Sequence, residues 1–509
     1  MTTPHRILYF LAGALLASSS LWAASKYELP EIGTPSDAIL SPSDEYQLGR
    51  MVMRQLRQAG LLLNDPELDE YVQTIGHRLA AQARDEDHQF TFFVVRDPGI
   101  NAFALPGGFI GVNSGLILAT KDESELAGVL AHEVAHVTQK HIARQMEASV
   151  GTNLLSMAAM LAAILLGAAT DSSDLTQAGV IGAQAMAVQQ RINFTREHEY
   201  EADRVGVGTL AGAGFDPMGM PRFFETMQAR YGLSGDRVPE FLRTHPISTA
   251  RIAETRNRAR KYPKQDYEDT TGYQVAWARL RVLSAEQPSD ALTFFESRIS
   301  NSESPDPADL YGKGLSLLRM NRSDEAQEIF RGLVVANDEV IEYHTALAQA
   351  ELASGQDVDA LGTFSRAMRL FPRNVPLTVH YAEGLLEIGD ATRAHDVLLD
   401  LLNNVPPTPE QIRVLAQAAN ASGRTSDAHH YMAELHLLNA DLIMALDQLT
   451  LALLTPGLDP VQESRYKARL DEICGALAAH DKRRRNLRHP SCRGYKPEVL
   501  SGSASNETD

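Results

Sequence analysis

Hydrophobic and polar positions change their period several times along the chain, and each change marks a different kind of element. An apolar stretch at residues 7–23 follows His5 and Arg6 and ends in Leu21-Trp22-Ala23. It is short for a membrane span and reads as a secretory signal peptide cut after Ala23. Residues 24–60 are polar and contain prolines before turning helical in pattern. Residues 90–95 are aromatic and β-branched and predict a strand, closed by the turn Asp97-Pro98-Gly99. Residues 101–112 read as two short strands around a Pro-Gly-Gly break, with Pro106 confining the first to an edge or a strand end. Asp122 with Glu125 three residues on opens a long helix, whose expected far end is Gly151. The sixteen nearly all apolar residues 154–169 fall short of the ~20 a span needs and read as a buried or membrane-touching helix. Asp216-Pro217 starts another helix, and a basic helix with Arg251, Arg256, Arg258 and Arg260 follows Pro246.

The second half repeats. Asn321, Gly355, Gly389 and Gly423 are 34 residues apart, as are Ala326, Ala360, Ala394 and Ala428. Gly314, Ala348, Ala382 and Ala416 keep the same step, and so do the large apolar residues Phe330, Phe364, Leu398 and Met432. Small residues where two helices touch, a Gly or Asn at the turn, and this period resemble the tetratricopeptide repeat. Pro372 and Pro406 fall where helix pairs should end, and residues 440–473 read as a degenerate continuation or cap.

Composition narrows the function. The 509 residues carry a net charge of −18, which argues against a nucleic-acid partner. An apolar share of 44% with 22% charged residues excludes bulk disorder. Two cysteines exclude a disulfide scaffold and any Cys-rich zinc module. In an oxidising compartment Cys474 and Cys492 would pair, and closing that loop contributes about 3 kcal/mol. The alternative is two unrelated buried thiols.

The chemical centre is His132-Glu133-Val134-Ala135-His136 inside the long helix. Residues four apart are turned by only about 40°, so both imidazoles can grip one cation, with Glu133 placed to take a proton from an activated water. Catalytic zinc usually has three protein ligands. Gln139 and Ile142 stand where the metzincin pattern needs glycine and histidine, which excludes that class. A carboxylate is the alternative, and Glu199-Tyr200-Glu201-Ala202-Asp203 supplies it. Glu199 and Asp203 share a helix face; Glu199 is assigned to the metal and Asp203 to orienting a ligand imidazole. From spacing alone Glu201 is nearly as good a ligand. His141 reads as a solvated helix residue turned off the face of His136, and His198 points elsewhere than Glu199.

On these residues, with the 101–112 segment and Thr244-His245-Pro246, the sequence resembles the M48 metallopeptidases over roughly residues 40–260. The resemblance implies one Zn²⁺ per chain held by His132, His136 and Glu199, with Glu133 as general base. It implies a gluzincin-type α+β peptidase domain with a small sheet, here followed by an α-solenoid, so the chain is mainly α. The expected divisions are a signal peptide at 1–23, a peptidase domain at 24–262, a helical linker at 263–300, repeats at 301–475 and a basic and polar tail at 476–509. The family further implies work at the outer membrane, on unfolded or misassembled β-barrel proteins, with the barrel-assembly machinery as a partner reached through the repeats. Integral members carry spans between the two motifs, and the short 154–169 stretch favours the soluble branch. The Lys482-Arg483-Arg484-Arg485 run is a solvated tail or a peripheral contact with anionic lipid headgroups. His245, which Pro246 pushes towards extended geometry, either donates to the oxyanion of the transition state or acts as a fourth ligand keeping the protease latent; the resemblance favours the second. The competing function class is a chaperone or assembly-binding protein in which the metal site is secondary.

Overall fold

The computed structural model describes residues 41–83, 89–147, 195–231, 238–263, 267–439, 441–480 and 489–492. The apolar stretches at 7–23 and 154–169, Gly151 and the basic run at 482–485 lie outside them. No helix among the described residues is long and apolar enough to cross a membrane.

Two capped helices open the fold. Ser41 caps α1 (Pro42–Gln58) by accepting the Asp44 N–H, and Asp65 caps α2 (Pro66–Ala80) by accepting the Leu68 N–H. A three-stranded sheet follows, β1 (Thr91–Val95) and β3 (Phe109–Asn113) parallel, with β2 (Ala102–Leu105) antiparallel on the outside. Pro106-Gly107-Gly108 joins β2 to β3, and Gly107 has φ 77. A side chain there would also strike the Tyr46 backbone of α1, so only glycine allows this turn to sit against that helix. After α3 (Ser114–Ala119) comes α4 (Glu123–Thr138), which is buried from Glu123 through Val137.

The single long helix expected to reach Gly151 is two. The chain leaves α4 at Gln139, Lys140 adopts φ 51, and α5 (His141–Glu147) sets off in a new direction. A left-handed non-glycine residue costs roughly 1–2 kcal/mol. Part of that is offset by the Gln139 and Lys140 N–H groups, which donate to the Ala135 and Val137 carbonyls. Further along the chain come α6 (Arg196–Gly212), α7 (Gly219–Tyr231), α8 (Glu240–Thr244) and α9 (Thr249–Ala259). α6 approaches α4 closely because Gly206 is bare: a Cβ there would lie 3.2 Å from both the Ala131 oxygen and the His132 nitrogen.

Next come α10 (Thr271–Leu283) and α11 (Pro288–Ser300), in the segment expected as a linker. Tyr273, Ala276 and Leu280 of α10 belong to the hydrophobic core that also holds α4, whereas Val275, Ala278 and Val282 belong to the repeat core. The helix thus contributes to both cores. Four repeat hairpins follow: α12 (Pro307–Arg319) with α13 (Ser323–Ala336), α14 (Ile341–Ala353) with α15 (Asp357–Leu370), α16 (Val375–Glu387) with α17 (Ala391–Leu402), and α18 (Pro409–Ala421) with α19 (Thr425–Leu438). The turn column is left-handed throughout, with φ 58 at Asn321, 70 at Gly355, 87 at Gly389 and 79 at Gly423. Gly457, φ 76, extends it into α20 (Leu442–Leu454) and α21 (Pro460–His480). Cys474 of α21 is disulfide-bonded to Cys492. The fold is thus a mainly helical chain, an α+β unit with a small sheet and a helical-repeat solenoid after it.

The solenoid curves back onto the first two helices. Arg279 of α10 donates to Asp65 at 2.7 Å, pairs with Glu67 at 3.1 Å and reaches the Tyr311 hydroxyl at 3.2 Å, all of them buried. His380 of α16 lies 2.9 Å from the same Glu67. Burial opposes ionisation of Glu67, yet Arg279 and His380 hold its carboxyl down at about 2. Burial likewise opposes the charge on His380, and Glu67 and Glu383 outweigh it, holding its pKa up at about 10. At the far end Arg54 of α1 pairs with Asp441 at 2.8 Å, while Arg50 and Arg57 reach the Leu437 carbonyl and the Asn439 side chain at the end of α19. Removing one member of a buried ion pair costs about 3–5 kcal/mol because its partner's charge stays buried. Arg279→Met is therefore expected to lower the unfolding free energy by that order, seen as a lower denaturant midpoint, and to separate unfolding of the N-terminal α+β unit from unfolding of the repeats. A midpoint unchanged from wild type would mean the ion-pair cluster does not hold the two units together.

Candidate metal centre

α4 sets the first two donors. Its start is fixed at both ends of a capping exchange: the Asp122 carboxylate accepts the Glu125 N–H at 2.8 Å, and the Glu125 carboxylate accepts the Lys121 N–H at 3.0 Å. Two turns further on, His132 and His136 share one face, with Nε2 atoms 3.0 Å apart. Glu199, in the first turn of α6, faces them: its carboxylate oxygens lie 3.5 Å from His132 Nε2 and 3.4 Å from His136 Nε2. His245 enters from the C-terminal end of α8, with φ −123, and brings Nδ1 to 3.3 Å from His132 Nε2 and 3.0 Å from Glu199 Oε1. One ligand atom from each of the four residues lies within 4.8 Å of all the others, and all four side chains are buried.

These separations test the fit to a cation. A tetrahedral site with bonds of about 2.0–2.1 Å has ligand-to-ligand edges of about 3.3–3.4 Å. The short edges of the set, 3.0 to 3.5 Å, bracket that value. The donor set, three imidazoles and one carboxylate, suits zinc chemistry.

Glu133 completes the pocket without joining the donors. It is fully buried. His245 Nε2 is 3.5 Å away, and the β2 backbone at Ala104 lies beside it. Burial raises its pKa above the usual carboxylate value, despite the counter-pull of His245 and His132. A carboxyl so placed is a candidate proton acceptor.

Asp203 lies 3.1 Å from His132 Nδ1, on the side of the ring away from the donors. Sequence reasoning missed what holds it. Arg251, read only as part of a basic helix, is buried and grips both Asp203 oxygens at 2.8 Å each. It also lies 2.7 Å from Glu199, donates to the Pro246 carbonyl at 2.8 Å and sits over the Phe224 ring. Burial works against charge on Asp203 and Glu199, but Arg251 for the first and the imidazoles of His245, His132 and His136 for the second hold both carboxyls below their usual range. The signal for Arg251 was its place in the turn of helix that starts after Pro246, and no period points to it.

Glu201, the alternative ligand, is outside the cluster: half-exposed, it lies 3.1 Å from His141 Nε2 and 3.2 Å from Arg144. The solvated role expected of His141 is also overturned. The Lys140 kink folds it back, fully buried, with Nδ1 2.9 Å from His136 Nδ1. His198 stacks on it at 4.4 Å between ring centres.

Residues 66–259 match the description Peptidase family M48. A Vibrio cholerae relative is 34% identical over 472 residues, 92% of this chain and 97% of that protein. An Escherichia coli K12 relative named beta-barrel assembly-enhancing protease is 32% identical over 455 residues, 89% of this chain and 92% of its own length. A solved structure described as a thermophilic TPR protein in Thermus thermophilus covers 39% of this chain and 97% of its own, at 23% identity and a TM-score of 0.23. The matched segment holds every donor of the buried cluster, and the identity to the two bacterial relatives runs through nearly the whole of both chains: this protein belongs to peptidase family M48.

Proposed function

We propose that this metallopeptidase is a zinc endopeptidase of the bacterial periplasm that cuts unfolded or misassembled proteins, outer-membrane β-barrel proteins above all. The observation that carries the reading is the convergence of His132, His136, Glu199 and His245 in one buried pocket beside Glu133. Zinc bound there would polarise the scissile carbonyl and make a water acidic enough to lose its proton near neutral pH. His132, His136 and Glu199 are the ligands in this reading. Glu133 takes the proton and later gives it to the leaving amine. Asp203, clamped by Arg251, holds His132 in the tautomer that turns Nε2 to the metal. β2, the outer strand beside Glu133, offers an edge to which an extended substrate can add.

Export is supported by the signal-like residues 7–23 and by the Cys474–Cys492 disulfide, which suits an oxidising compartment. The repeats supply a surface of the kind that recruits clients or the barrel-assembly machinery, and the names of the bacterial relatives support that choice of partner. The basic run at 482–485 suits a peripheral contact with anionic headgroups.

His245 is the latch in this reading. Its Nδ1 stands among the donors rather than at the place of a substrate oxygen, so it occupies the fourth position and the enzyme rests inactive until the loop moves. The same position favours the second reading, a chaperone whose cleavage stays latent, and the two are separated by whether Glu133→Gln abolishes the biological role or only the cutting.

Glu133→Gln is expected to keep metal and fold while turnover of an unfolded substrate such as casein falls about 10²–10⁴-fold. Near-wild-type turnover at full zinc occupancy would remove Glu133 from the base role. For His245→Ala the expected result is faster basal cleavage and self-degradation, both suppressed when Glu133→Gln is added. A fall of about 10²-fold with zinc retained would instead make His245 an oxyanion donor.

A further inference from the structure

We propose that His141 is a positioning residue for His136, fixing its ring and tautomer for metal binding, and that Glu201 anchors His141 in turn. The inference rests on the reading of the buried cluster as a zinc site.

The direction of each proton follows from geometry. His136 turns Nε2 towards the donors, 3.0 Å from His132 Nε2 and 3.4 Å from Glu199. Its Nδ1 therefore carries the proton when Nε2 binds metal, and that N–H donates to His141 Nδ1, 2.9 Å away. With Nδ1 accepting, the His141 proton sits on Nε2, which faces Glu201 Oε2 at 3.1 Å. Arg144 holds the same oxygen at 3.2 Å from the far side. The chain of donors runs one way, from ligand imidazole to carboxylate, and every link is satisfied.

His141 cannot itself be a ligand here. It touches the nitrogen of His136 that points away from the donor set, and it is not among the four residues whose ligand atoms converge. Its placement is instead built for support. The left-handed Lys140 reverses the chain between the two helices, which brings a residue five positions on against His136, where an unbroken helix would turn it away. His198 covers the other face of the ring, stacked at 16°. The two metal histidines of α4 thus have separate supports: Asp203 with Arg251 behind His132, and His141 with Glu201 and Arg144 behind His136. Outer partners of this kind orient ligand imidazoles and raise their basicity, and losing one typically costs 10–100-fold in metal affinity.

The test is zinc affinity, measured by competition with a chromogenic chelator, in full-length wild type, His141→Phe and His141→Asn. Phenylalanine keeps the ring volume and removes the acceptor; asparagine can place its side-chain oxygen near the Nδ1 position and accept from His136. His141→Phe is expected to weaken zinc binding about 10–100-fold and His141→Asn to recover most of that loss, with a matching shift and recovery in the visible spectrum of the cobalt-substituted protein. Wild-type affinity in His141→Phe overturns the inference. So does equal weakening in both variants in step with a lowered unfolding midpoint, the pattern of a purely structural residue. If His141→Phe does not fold, Glu201→Ala, at the half-exposed end of the chain, carries the same test: weaker zinc binding supports the relay and unchanged binding overturns it. A wild-type protein that binds no zinc would overturn the zinc-site reading itself, an outcome distinct from failure of the relay alone.

Discussion

Placing a glutamate, a second carboxylate and three imidazoles in one buried pocket is unfavourable unless their charges and lone pairs find partners, and the fold is arranged around that requirement. α4 carries His132, Glu133 and His136 through the middle of the peptidase core, where every residue from Glu123 to Val137 is buried. Arg251 supplies the fixed positive charge, shared between Asp203 and Glu199. The bare Gly206 lets α6 come close enough for those carboxylates to meet the imidazoles of α4. Glu133 differs from the other carboxyls: it is fully buried with His245 Nε2 3.5 Å away, and burial raises its pKa above the usual carboxylate value.

The same economy of contacts joins the site to the repeats. α1 lies between them: on one side Arg50, Arg54 and Arg57 hold the end of α19 and Asp441, and on the other Tyr46 stacks on Phe109 and lies against Gly107. The turn containing Gly107 leads back into β2, the outer strand that runs beside Glu133. At the other end α10 puts one face into each hydrophobic core, and Arg279 and His380 clasp the acidic start of α2. The two units thus share α10 and a cluster of buried ion pairs.

Much of this was legible in the sequence because it depends on local spacing. Two histidines four apart beside a glutamate can only share a helix face, and a glycine or asparagine column at 34-residue steps marks the left-handed turns that Asn321, Gly355, Gly389 and Gly423 adopt. The Pro-Gly-Gly break placed β2 at an edge for the same reason. What spacing could not show are the contacts made by breaking a period or crossing the chain. Lys140 looks like one more helical residue, yet its left-handed conformation ends α4 early and turns His141 from a solvated position into the partner of His136. Glu201 pairs with His141, outside the donor cluster. Arg251 reads as one of several surface arginines until the fold sets it against Asp203, forty-eight positions earlier. α10 shows no break in pattern that distinguishes a linker from a helix contributing to both cores, because both of its faces are apolar.

The central claim is that the buried cluster holds one zinc ion through histidine and carboxylate ligands. X-ray absorption at the zinc edge, on full-length protein purified without added metal and paired with metal analysis, tests it most directly. The account predicts one zinc per chain with four nitrogen or oxygen neighbours at about 2.0–2.1 Å and a multiple-scattering pattern fitted by three imidazoles in wild type, falling to two in His245→Ala. Protein that is folded yet free of zinc, or a zinc shell fitted by fewer than two imidazoles, would contradict it.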